Sequence, residues 1–125
     1  MSKKKVEERV YRCANQLVAK KGYVSPADLL VQMERLTPKQ LEDWRFKRIP
    51  YLEKVTLGNL SKMNHILSTL KKYADENNLK PSITVYKSWG KGAKRTLQFS
   101  KKGNPNLEKL YATHYVSRNI GSRQN

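Results

Sequence analysis

Lys87, Trp89, Lys91, Lys94 and Arg95 fall within one short stretch, ITVYKSWGKGAKRTLQFS, at positions 83–100. Cations interleaved with an aromatic ring are suited to polyanion contact. Ammonium and guanidinium groups neutralise phosphates, and an indole face stacks on a base or covers a sugar. A second basic group, Arg45, Lys47 and Arg48, lies in DWRFKR, with Lys39 just upstream. Lys62, Lys101 and Lys102 complete the candidate nucleic-acid-binding set.

Residues that could do covalent chemistry are sparse. His65, His114 and Cys13 are far apart along the chain, so a catalytic pair would have to be assembled by the fold. GKGAKR has glycines and lysines but lacks the phosphate-loop spacing and its closing Lys-Ser/Thr pair. Glu42 and Asp43 are adjacent, as are Asp75 and Glu76, so each pair points to two sides of a helix rather than into one metal site. No metal, no cofactor and no enzymatic activity are expected.

The composition agrees with a binding role. The 125 residues suit one domain with a modest core. Lysine plus arginine number 26 against 10 acids, a formal net charge of +16. Such a charge repels itself in a compact state unless a polyanion relieves it. The excess is uneven: Lys80 to Asn125 holds ten cations and one acid, Glu108, whereas Met1 to Pro50 holds twelve cations and six acids. The lone cysteine excludes an internal disulfide and fits a reducing compartment. No stretch has the length of a membrane span, and the start of the chain leads into a charged helix rather than an apolar signal region. A cytoplasmic protein with no membrane partner is the expectation.

Helical periodicity supplies the scaffold. Val6, Val10, Cys13, Leu17 and Val18 share a face, which predicts a helix over 4–21 with Cys13 as core filler. SPADLLVQMERL has Ser25 as cap and Pro26 at the first helical position, with Leu29, Leu30 and Met33 as the buried stripe. TPKQLEDWRFKR repeats that grammar, with Thr37 and Gln40 forming a capping box and a helix over 38–48. A separation of two or three residues gives the two helices helix-turn-helix spacing. Leu41, Trp44 and Phe46 are assigned inward. A short turn at Tyr51, Leu52 and Val55 precedes the longest periodic segment, a helix over 59–78 buried through Leu60, Met63, Ile66, Leu67, Leu70 and Ala74. NPNLEKLYATHYV predicts a closing helix over 105–114. Residues 1–116 are read as one domain and 117–125 as a flexible polar tail.

Positions 83–100 read as a hairpin. Requiring one apolar face selects a Gly90-Lys91-Gly92 turn, pairing Ile83 with Phe99, Val85 with Leu97, Lys87 with Arg95 and Trp89 with Ala93. A four-residue turn, pairing Val85 with Gln98, loses that face. In the chosen register two cations oppose each other, which destabilises a strand pair. That suggests a tip shaped for a polyanion. The alternative is lysines that keep an edge strand soluble.

The fold class is therefore mainly α with a small β-hairpin (α+β). Helices with a helix-turn-helix-like pair and a later hairpin resemble winged helix-turn-helix proteins. That resemblance implies one helix in a DNA major groove and a hairpin wing on backbone or minor groove. The helix over 59–78 departs from the usual order by lying between the pair and the wing. Either it or the helix over 38–48 could read the groove, the former through Lys62, Asn64, His65, Lys71 and Lys72. DWRFKRIPYLE and RTLQFSKKGNPNLEKLYATHYV also look like segments of small basic bacterial or phage proteins without an assigned activity. The expected function is double-stranded DNA binding. An RNA or ribosome partner is the first alternative, and an inhibitor or adaptor docking on a nucleic-acid enzyme is the second.

Overall fold

The computed structural model describes residues 3–118. Helix α1, Lys3–Lys21, buries Val6, Val10, Cys13, Ala14 and Leu17, the face set by its periodicity. Gly22, at φ 83°, ends the helix and turns the chain into the short strand β1, Tyr23–Val24. Helix α2, Pro26–Gln32, is capped by the Ser25 hydroxyl, which accepts from the Asp28 N–H. Helix α3, Pro38–Arg45, carries the full Thr37–Gln40 capping box. A 3-10 turn at Leu52–Lys54 follows, then helix α4, Leu60–Glu76, capped by Asn59. Strand β2, Lys80–Ile83, helix α5, Pro105–Ala112, and strand β3, Thr113–Val116, complete the order.

The core lies between α1 and α4, its principal helix pair. Ile66, Leu67, Leu70, Tyr73 and Ala74 of α4 are buried there. Tyr11 and Tyr73 meet edge to face at 5.3 Å, and the Tyr73 hydroxyl donates to Asn15 at 2.6 Å. A second, aromatic centre joins α3 to the C-terminal third. Trp44 is fully buried and donates its indole N–H to the Gln98 carbonyl at 2.7 Å. Tyr86 and Phe99 pack beside it, and Phe99 stacks on Tyr111 at 5.1 Å.

The expected class, mainly helical with a little antiparallel sheet, holds. The sheet itself is different from the predicted hairpin. It has three strands in the order β1-β3-β2. β2 pairs with β3, Ile83 opposite Thr113, across a long excursion through residues 84–112. The first two residues of β3, Thr113 and His114, occupy positions read as the end of a helix over 105–114. Thr113, His114, Tyr115 and Val116 are β-branched and aromatic types that suit a half-buried pleated surface, and they alternate in burial.

The 83–100 segment keeps only a narrow ladder, and in the rejected register. Lys87 bridges Thr96, Ser88 N–H donates to Arg95 O, and Leu97 N–H donates to Tyr86 O. Ile83 and Val85 are exposed, and Tyr86 rather than Val85 packs against the core. The apolar-face criterion chose the wrong residues because Tyr86 buries a ring among Trp44 and Phe99, more than a valine would cover. Other boundaries move less. α3 stops at Arg45 instead of 48, its connection to α2 spans residues 33–37, and Leu60 at the start of α4 is exposed rather than core. Residues 119–125 of the expected tail lie outside the described residues.

Candidate nucleic-acid interface

The end of α3 and the turn around Gly90 meet in one surface. The Trp89 N–H donates to the Arg45 carbonyl at 2.7 Å, so the turn is tied to the last residue of the helix. Phe46 caps α3 and meets Trp89 edge to face at 5.7 Å. Gly90 sits against that contact at φ 105°, where an added Cβ would come within 3.4 Å of the Phe46 ring. A side chain there would touch Phe46 at ordinary contact distance but would need a left-handed backbone that favours glycine.

Arg45 is the organising cation. Its guanidinium lies 4.5 Å from the Trp89 ring centre and 5.2 Å from that of Tyr86. Both rings present negative faces to it. Burial pulls its pKa below the ordinary arginine value, yet arginine retains its charge at neutral pH. Its Nε has no hydrogen-bond partner within the protein. Arg48 lies 4.9 Å from the Phe46 ring. The exposed rings are therefore held among cations, with Trp89 48% and Phe46 38% accessible.

The neighbouring charges differ in how free they are. The Asp43 carboxylate accepts from Lys39 and Arg48, both at 3.0 Å, and those two bonds hold it below the usual carboxylate range. Lys39 and Arg48 thus already have an anion. Lys47 is exposed at φ 61°, just past the helix. Lys87 donates to the Thr96 hydroxyl at 2.9 Å and Lys94 to the Gly90 carbonyl at 3.0 Å. Lys91 and Arg95 are exposed on the same turn. Lys87 and Arg95 do not oppose each other, because Arg95 lies across from the buried Ser88, whose hydroxyl accepts the Arg95 N–H. The repulsion expected from the sequence is relieved by this one-residue shift.

Eight of the twelve predicted site residues are brought together here: Arg45, Lys47, Arg48, Lys87, Trp89, Lys91, Lys94 and Arg95. Lys39 stands one turn back on α3. Lys101 and Lys102 line a separate groove, and Lys62 belongs to the first turn of α4 near it. Of the α4 alternatives, His65 is directed to α1, its Nε2 3.3 Å from Glu7. Phe46 is the residue the sequence reading misplaced. Its interleaving with Arg45, Lys47 and Arg48 in WRFKR carried the signal for an exposed ring among cations.

Beside Arg45, a cleft of about 610 Å³ is lined by Tyr23, Tyr86, Trp89 and His114. His114 stacks on Tyr23, and its Nε2 lies 2.7 Å from the Tyr86 hydroxyl. Burial pushes the Tyr86 hydroxyl up to about 12 and lowers His114. The donor and acceptor roles in this short phenol–imidazole contact follow the imidazole tautomer. Cys13 is buried in α1, its thiol raised by burial and facing the Gln32 carbonyl at 3.7 Å. His114, His65 and Cys13 thus sit at three separate places. Among the described residues, no three His, Cys, Asp or Glu side chains cluster to hold a metal ion, and no helix is long and apolar enough to cross a membrane.

Comparison with known proteins gives no match to any family model, curated protein or solved structure.

Proposed function

We propose that this chain is a non-enzymatic nucleic-acid-binding protein that contacts its ligand through the end of α3 and the turn at 87–95. The supporting observation is the junction itself. A backbone hydrogen bond and a ring contact join two basic segments far apart in sequence, with Arg45 held over Trp89. Exposed cations there suit phosphates, which provide affinity and orientation rather than sequence choice. Double-stranded DNA is the lead ligand. A cytoplasmic location accompanies this reading.

One observation favours RNA as the second reading. Trp89 and Phe46 are exposed side by side, and rings so placed can stack on unpaired bases. A salt titration against labelled duplex DNA, single-stranded RNA and structured RNA separates the two. Duplex preference with a log–log slope near −5, for about six phosphate contacts, is the expected result. Lys87→Glu with Arg95→Glu should lower that affinity and leave thermal melting unchanged. A preference for single strands, lost in Trp89→Ala, supports the RNA reading. Wild-type affinity in the double variant overturns the assignment of this surface.

A further inference from the structure

A second surface, separate from the basic turn, has different chemistry. A groove of about 760 Å³ runs between the start of α4, helix α5 and the 100–104 loop. Leu60, Met63, Leu107 and Leu110 form the apolar part of its lining, among polar residues. Leu60 is 58% accessible, and nearby Leu57 is 64% accessible. Leu57 and Leu60 together leave apolar surface open to solvent beside the groove.

The rim is cationic, and its acids are turned inward. Lys54, Lys101 and Lys102 line the groove and are exposed. Glu53 accepts the Tyr111 hydroxyl at 2.6 Å. The Glu108 carboxylate accepts three bonds, from Phe99 N–H, Ser100 N–H and the Ser100 hydroxyl. Both carboxylates thus serve as internal acceptors, and Glu108 braces the loop that presents Lys101 and Lys102. An apolar floor under a ring of lysines complements an apolar stripe flanked by carboxylates.

We propose that this groove docks an acidic amphipathic helix of a partner protein. Leu60, Leu107 and Leu110 offer apolar surface to the hydrophobic stripe of such a helix, as in helix-in-groove recognition, and the lysines pair with acids beside that stripe. A phosphodiester chain would meet the lysines but leave the leucines uncovered, so the floor favours a peptide.

The test is fluorescence anisotropy on the full chain. The probe is a labelled peptide of about four helical turns, leucine at i, i+3, i+4 and i+7 and glutamate between. A second peptide has the same composition in scrambled order. Saturable binding of the first, at least about tenfold tighter than the second, is expected. Leu60→Asp and the pair Lys101→Glu/Lys102→Glu should each weaken it about tenfold. Leu60 is exposed, and an acid in a helix's first turn is favourable, so Leu60→Asp should melt like the parent. Trp89→Ala should leave peptide binding unchanged, which separates this site from the basic turn. The proposal is overturned by absence of saturable binding, by equal binding of the scrambled peptide, or by parental affinity in both groove variants. Displacement of the peptide by a short DNA duplex would overturn it in favour of nucleic acid. Self-association abolished by Leu60→Asp, with no peptide bound, would overturn it in favour of a second copy.

Discussion

His114 shows how one half-buried side chain ties the sheet to the aromatic centre. It stacks on Tyr23 of β1 and meets the Tyr86 hydroxyl at 2.7 Å. Burial lowers its pKa from the ordinary 6.5, while the Asp28 carboxylate opposes that shift more weakly. The folded state therefore favours neutral imidazole. Its contribution is fully present above the unfolded value and is lost as pH falls through that value toward the lowered folded one. Melting temperature should drop from about pH 7 to about pH 5, and His114→Gln, which keeps an acceptor for Tyr86, should flatten that drop. An identical pH slope in the variant would assign it to other groups. Asp43 adds its own dependence at lower pH, since its depressed carboxyl is protonated only there.

Among the elements, α3 is one of the short helices, and it carries Arg45 and Phe46 to the proposed interface. It is eight residues long, and of its residues only Trp44 is buried. Isolated helices of that length are marginal in water. The Thr37–Gln40 box at one end and the Trp44 anchor near the other must hold it. Thr37→Ala should cost about 1 kcal/mol in denaturant unfolding. It should also loosen Arg45 and Phe46, which the helix positions. Amide exchange over residues 38–46 should rise in this variant more than over α4. Equal protection of α3 in variant and parent would mean that the aromatic anchor alone suffices. The sequence marked the start of this helix because its cap is local, donor and acceptor lying three residues apart, but placed its end at 48 rather than at Arg45. It could not show that Trp44 reaches the Gln98 carbonyl, fifty-four residues on.

At the scale of the molecule, net charge sets the conditions for stability. A formal charge of +16 faces few internal anions, and several of the acids are used in specific bonds, as at Asp43, Glu53 and Glu108. Raising sodium chloride from about 0.05 to about 0.5 M shortens the Debye length and should raise the melting temperature. A duplex at low salt should raise it further, by binding only the folded state. A melting temperature that falls with salt would mean that internal ion pairs outweigh self-repulsion.

The helices of α1, α2 and α4 were legible from Val6, Val10, Cys13 and from Ile66, Leu67, Leu70, since a buried stripe repeats within a few residues and needs no knowledge of its partner. So was the cationic character of WRFKR and YKSWGKGAKR, because charge is a property of composition. The strand at 113–116 was not legible: its neighbours are β1, some ninety residues earlier, and β2, some thirty earlier. Nor was the 83–100 register, which depends on Tyr86 fitting among Trp44, Phe99 and His114, contacts made only after the chain has closed on itself. Local caps and periodicity thus determined the helices and composition determined the charge, whereas long-range packing decided which strand pairs with which. The same packing set Phe46 beside Trp89 and the rim of lysines around Leu60.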